Sequence, residues 1–463
     1  MATQVQATSP DRSMPDDPLA GGGLRDFAAR LRDGTLSAEA ATRAYLDRIA
    51  ARDAKIQSFK MVAAQRAIET ARGIDALLRG GTDLGPLMGV PVAVKEIFAV
   101  DGLPYGAGTD LDLTDMTPPE GAFIRRLKRA GCVILGTTRT TEFAGATINV
   151  KKPMPWNPAD ETVKRVCGGS SHGSAAALAA GLCAFSVGSD TGGSVRLPAA
   201  LCGVVGFKST VGRWPTEGVF ALSPTLDSVG VFTRSAGDAA VIFAALDDAG
   251  SAEPPRPRAL RLGRPRRYVF EQLDEPVRRA VEAALDRLRA AGVEIVETDT
   301  PDIDAAMAQF GTLLFGEFVT VMSRERLSAG RNTIDPVPWA RIEVAFGMEA
   351  ERLAAALRAH RAATASAAAM MAGIDALVYP TTPFLPCPVA EVQTAEAALA
   401  WNLRSGRLTR PGNFFGQCGI SIPVQDRDAL PVGLQLIGPP GDDARLLAIA
   451  RTVEPIARPT AAH

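Results

Sequence analysis

Between Cys167 and Lys208 the chain reads C-G-G-S-S-H-G-S-A-A-A-L-A-A-G and then, from Gly188, G-S-D-T-G-G-S-V-R-L-P-A-A-L-C-G-V-V-G-F-K. Two glycine-serine clusters stand here, with Ser170 and Ser194 24 positions apart (170 to 194). Gly-rich turns that feed helices can cradle phosphate. This stretch lacks both a Gly-Lys-Ser/Thr end and a G-x-G-x-x-G opening a strand–helix–strand unit, so phosphate is the weaker reading. A nucleophile loop fits better. Gly192 and Gly193 let the backbone turn tightly and aim consecutive N–H groups into one small space. Donors placed there stabilise the oxyanion that forms when the Ser194 hydroxyl attacks a carbonyl. The hydroxyl also needs a base, and of the three histidines (His172, His360, His463) none is an obvious one. That leaves a lysine, a carboxylate or a relay through another hydroxyl. Lys95, closing the apolar run G-V-P-V-A-V-K at 89–95, is the best placed, because apolar surroundings lower a lysine pKa toward neutrality.

The pattern around these residues predicts the elements that position them. Residues 24–79 read as helical, with Ser37 as an N-cap and apolar positions such as Leu46, Ile49, Ile56 and Ile68 at helical spacing. A strand over 89–95, a helix over 122–130 and a short buried strand over 132–135 follow, which implies an α/β architecture with a sheet between helices. Ser174 to Ala180 is a helix of small residues suited to close packing. The prolines of 250–267 mark a connection, followed by helices over 275–291, 307–327 and 344–371. Strands at 376–379 and 432–438 return to the sheet. The expected organisation is a flexible tail over 1–20 and a single domain over 21–463. Its catalytic core spans about 60–245 and 372–460, with a helical cover over about 268–371.

Composition narrows the function classes. With 50 basic against 51 acidic residues and a net charge of −1, the 463-residue chain has no basic footprint for nucleic acid. At 46% apolar it has ample material for a buried core, so general disorder is excluded. The six cysteines show no C-x-x-C pair, which reads as reduced, mostly buried thiols of a cytoplasmic protein. Three histidines are a poor supply for a zinc hydrolase, and no metal or cofactor is expected. No secretory segment is expected from the polar residues 1–18, and the apolar runs read as too short for a membrane span.

The 167–208 stretch resembles the signature of the amidase-signature family of serine hydrolases. The likeness extends to G-V-P-V-A-V-K at 89–95, L-G-T-T-R-T-T-E-F-A at 135–144 and P-V-G-L-Q-L-I-G at 431–438. It implies a large central mixed β-sheet covered by helices on both faces, and a Ser–Ser–Lys triad. By resemblance Ser194 is the acyl-forming nucleophile and Ser170 the bridging serine, held in a cis peptide. Lys95 is the terminal base. The oxyanion hole maps onto the amides of Thr191, Gly192, Gly193 and Ser194. Asp190 and Arg196 match family positions and read as partners that fix the loop. The resemblance implies hydrolysis of a C–N bond in an amide or carbamate through an acyl-enzyme.

Simpler readings stand beside several of these residues. Ser170 could serve only as a helix N-cap, although its distance from Ser194 speaks against that. Ser171 either supports the site by hydrogen bonding or caps the next helix. His172 departs from the family's usual glycine. It either lines the pocket or, as its place at a helix start favours, turns away from the substrate. His360 reads as a surface residue and Cys167 as a small apolar filler. The expected substrate pocket takes Ala144, Gly145, His172, Phe414 and Gln417. With aromatics of the middle segment such as Phe310 and Phe315, it suggests an apolar or aryl substrate over a small dicarboxylate. The alternative is the A-type glutaminase subunit of a tRNA-dependent amidotransferase. Against that, residues 405–413 lack the acid expected to hold a glutamine amino group. No other partner is implied, and a homodimer is simply the commonest assembly.

Overall fold

The computed structural model describes residues 14–459 except 20, 248–249 and 251. Its strands are β1 (Phe59–Val62), β2 (Pro91–Lys95), β3 (Val133–Thr138), β4 (Phe185–Ser189), β5 (Val205–Lys208), β6 (Val229–Thr233), β7 (Arg261–Pro265), β8 (Glu294–Thr298), β9 (Ala376–Pro380), β10 (Cys418–Pro423) and β11 (Gly433–Gly438). They form one 11-stranded sheet in the order β1-β3-β2-β4-β6-β5-β10-β11-β9-β7-β8. Pairing is mixed: β2 runs parallel to β3 and β4, whereas β4–β6, β5–β6 and β10–β11 are antiparallel. This is the expected α/β class, with helices flanking the sheet.

Strand β2 explains how a lysine is buried. All five of its residues are buried between two parallel neighbours, which suits a continuous run of apolar side chains. Lys95 closes that run at the carboxyl end of the strand, where open α/β sheets place their ligands. The neighbouring β4 ends at Ser189, directly before the 190–195 loop that carries Ser194. The two strands therefore deliver base and nucleophile to one end of the sheet.

Three expectations are corrected. The stretch 24–79 is not continuously helical: helices Gly23–Arg32, Ala38–Ile56 and Ala64–Arg79 are interrupted by β1. The Ser37 hydroxyl does cap the second of these, accepting from the Ala40 amide. Within 268–371, five helices are joined by β8, whose half-exposed residues lie at the sheet edge and pair only with β7. The 20-residue helix Ile303–Met322 is long and apolar enough to cross a membrane by length and composition alone, which the apolar runs did not suggest. Half of its most apolar window is buried in the protein, and Glu317 within it accepts from the Ser223 hydroxyl at 2.5 Å.

Residues 1–13 and 20 of the expected tail lie outside the described residues. Met14–Leu19 are docked: the Tyr45 hydroxyl donates to Asp17 at 2.8 Å, Arg234 pairs with Asp17 at 2.5 Å, and Leu19 is buried.

Candidate active site

Lys95 is completely buried. Its Nζ lies 2.7 Å from Ser170 Oγ and 3.0 Å from Ser189 Oγ. Burial pulls the ammonium from 10.5 down to about 7, against the opposing charges of Asp227, Asp190 and Glu96. A lysine near 7 holds a free lone pair at neutral pH, which is what a proton acceptor needs. Ser170 follows a cis Gly169–Ser170 peptide. Its carbonyl accepts from the Thr141 amide at 3.1 Å and the Thr140 hydroxyl at 3.2 Å, so the T-T-E-F-A segment locks it in place. The Ser171 amide donates to the Ser194 carbonyl at 3.3 Å, joining the two serine loops.

The nucleophile loop rests on Asp190 and Arg196, both fully buried and paired at 3.1 Å. Asp190 accepts from the amides of Gly193 (2.8 Å), Val195 (3.2 Å) and Arg196 (3.3 Å), the way an N-cap carboxylate receives a turn's free N–H groups. Although burial works to raise its pKa, the Arg196 guanidinium holds the Asp190 carboxyl well below the usual carboxylate range. Gly193 sits at φ 122°, and a Cβ there would lie 2.0 Å from Thr409 Oγ1, so only glycine fits. One expected oxyanion donor is thereby reassigned. The Gly193 amide is already engaged by Asp190, whereas the amides of Thr191, Gly192 and Ser194 meet no protein acceptor among the described residues.

A cavity of about 350 Å³, mouth included, opens onto this loop. Thr191, Gly192 and Ser194 form one wall, Ala144 and Gly145 another. The remaining expected pocket residues sit elsewhere. His172 is buried at the start of helix His172–Ala179, and burial, with nearby Lys95, drives its imidazole down to about 3. It is neutral and does not line the cavity. Phe414 packs its ring against His360 and Phe415. Gln417 is buried, with its carbonyl accepting from Lys208 Nζ at 2.7 Å. His360 is not a surface residue either: its Nδ1 donates to the Phe414 carbonyl at 2.9 Å.

Sequence reasoning missed four residues. Ser189, five positions before Ser194, links the base to Ser171, whose hydroxyl donates to the Ser189 carbonyl at 3.3 Å. That bond makes Ser171 a support rather than a side-chain cap, since no capping bond is made at the helix start. The Thr191 hydroxyl donates to buried Asp227 at 2.5 Å, and burial raises that carboxyl to about 6. Arg341 and Arg410 line the cavity beside Phe310 and Leu314. Nothing in the local pattern around either arginine marks it, because helix packing alone brings both to Ser194.

Comparison with known proteins agrees with this geometry. The family model described as Amidase matches residues 40–447, and the chain belongs to that amidase-signature family. It is 37% identical over 440 residues to the 2-amino-5-chloromuconic acid deaminase of Comamonas testosteroni, covering 93% of this chain and 95% of the relative. It is 34% identical over 476 residues to the A-type subunit of the glutamyl-tRNA(Gln) amidotransferase of Salinispora arenicola, covering 93% and 96%. Among solved structures, the peptide amidase of Stenotrophomonas maltophilia superposes with a TM-score of 0.77 at 27% identity, covering 95% and 98% of the two chains. These kinships make the protein an amidase-signature hydrolase acting on C–N bonds.

Proposed function

We propose that the protein hydrolyses a small amide or carbamate through an acyl-enzyme on Ser194. The observation that carries this reading is the fully buried Lys95, near pKa 7, in contact with Ser170. Ser194 Oγ attacks the carbonyl carbon while its proton passes to Ser170, whose own proton moves to Lys95 Nζ. The negative oxygen is held by the amides of Thr191, Gly192 and Ser194. As the C–N bond breaks, the relay reverses and protonates the departing nitrogen. Water then attacks the acyl ester by the same route and frees the acid. Protonating the nitrogen matters more for an amide than for an ester, because an amide anion is a far poorer leaving group.

A second reading, the glutaminase component of an amidotransferase, is supported by the relatives of that name. The cavity counts against it. No Asp or Glu is among its lining residues, so the α-ammonium of glutamine would meet no carboxylate there. Kinship with a protein named as a deaminase of an acid supports a free-standing C–N hydrolase instead.

The test is amine or ammonia release from paired amides and carbamates by wild type and Ser194→Ala, with hydroxylamine added to trap an acyl-enzyme. Turnover should fall by at least about 10⁴-fold in the variant while the fold persists. Full activity of Ser194→Ala would remove the mechanism.

A further inference from the structure

The cavity in front of Ser194 is rich in positive charge and N–H donors and has no negative charge to answer them. Arg341, from helix Pro336–Phe346, donates to the Gly145 carbonyl at 3.1 Å and lies 4.1 Å from the Phe315 ring centre. Arg410, opening helix Arg410–Phe414, donates to the carbonyls of Leu403 and Asn402 at 2.9 Å each. Carbonyls satisfy hydrogen bonds but do not neutralise a cation. Neither guanidinium is in an ion pair among the described residues. Burial and then the Arg410 charge push Arg341 well below its usual pKa, so each cation raises the cost of the other.

Asn402 supplies a third donor. It is fully buried and lines the same cavity. Its Oδ1 accepts from the Thr147 amide at 2.8 Å and the Thr147 hydroxyl at 2.9 Å, which fixes the amide's orientation. The Nδ2 left over has no acceptor. A buried donor without a partner is costly, and two half-buried cations with no counter-charge beside them favour an anion that supplies one. A neutral aryl group would leave both costs in place. A substrate carrying an ammonium would add a third positive charge.

We infer that this cavity takes a carboxylate which the substrate carries in addition to its scissile amide, held by Arg341, Arg410 and Asn402 Nδ2. The substrate class is then the half-amides of short dicarboxylic acids, since the cavity is small and arginine matches carboxylate geometry. This replaces the apolar or aryl preference expected from the sequence. It rests on the hydrolase reading above.

The experiment compares half-amides of the straight-chain C3 to C6 diacids with the primary amides of the matching monoacids. Wild type should prefer at least one half-amide by at least about 100-fold in kcat/KM. That preference should shrink at least about tenfold in Arg341→Gln and in Arg410→Gln, with Arg410→Lys recovering part of it. Calorimetric binding of the free diacids to Ser194→Ala supplies a readout that needs no turnover. Equal rates on charged and neutral amides, or a half-amide preference untouched by both arginine variants, would overturn the inference and leave the hydrolase reading standing. Arg341-dependent diacid binding without turnover of any amide would do the reverse. Turnover of neutral amides alone, with no diacid bound, also sinks the inference.

Discussion

Arg196 and Arg410 flank the same nucleophile loop, one behind it and one in front, and they are satisfied in opposite ways. Arg196 is wholly buried and saturated: two contacts to Asp190 at 3.1 Å, one to Gln435 at 3.1 Å, one to the Thr409 carbonyl at 3.0 Å and one to Asn413 at 2.7 Å. Arg410, one residue after Thr409, hydrogen-bonds only to carbonyl groups, stands 5.8 Å from the Phe310 ring centre and lines the cavity. A closed polar network fixes geometry because every group would lose a partner by moving. An open one is poised for something that arrives with the missing charge.

The sharpest way to break this contrast is to remove one carboxylate. Asp190→Asn strands the buried Arg196 charge and turns one of the two oxygens that accept from the loop amides and the guanidinium into an N–H donor facing them. Stability should fall by about 3–5 kcal/mol, read from denaturant unfolding, and turnover should fall with it. Arg410→Gln strands no acid, so its stability should stay within about 1 kcal/mol of wild type. Similar losses in the two variants would mean that the front arginine is structural too.

Lys95→Ala probes the next largest effect. Only the neutral amine accepts a proton, so kcat/KM should rise with pH through about 7 in wild type as Lys95 loses its ammonium proton. In the variant that limb should vanish and the rate drop by about 10²–10⁴-fold. Retention of the limb would assign it to another group, with Asp227, raised to about 6, the nearest candidate.

Much of the closed side was legible in the sequence, and little of the open side. Ser194 and Lys95 stood out from their neighbours, a paired-glycine turn and an apolar run ending in a charge, whereas the bridging role of Ser170 and the places of Asp190 and Arg196 came from the family resemblance. The strand β2 was legible for a similar reason, as a β-branched run ending in a charge. By contrast, β1 has four residues of which only Phe59 is buried, and no two-residue alternation marks it. The cavity arginines lie 147 and 216 positions beyond Ser194 (194 to 341, 194 to 410) on helices of unremarkable composition. Their convergence is a property of tertiary packing, and no local period encodes it. Phe414 was misplaced for the same reason: its apolar character was plain, but not that His360 and Phe415 would occupy its faces.

Ser189 offers the finest adjustment, because it touches the base without standing in the relay. In the ammonium form, Lys95 Nζ donates to Ser189 Oγ at 3.0 Å, and an acceptor held there favours the charged state. Ser189→Ala removes that acceptor while Ser170 keeps its own contact at 2.7 Å. The Lys95 pKa should therefore fall further, and the rising limb of kcat/KM should move to lower pH by up to about one unit, with the plateau rate within about tenfold of wild type. A shift toward higher pH would show that the serine hydroxyl instead donates to the free amine, stabilising the base. The Ser189 carbonyl bond from Ser171 survives the substitution, so the loop stays anchored and the shift reports on the proton alone. Arg341 and Arg410 variants should leave this limb where it is, because the charges acting on Lys95 are those of Asp227, Asp190 and Glu96.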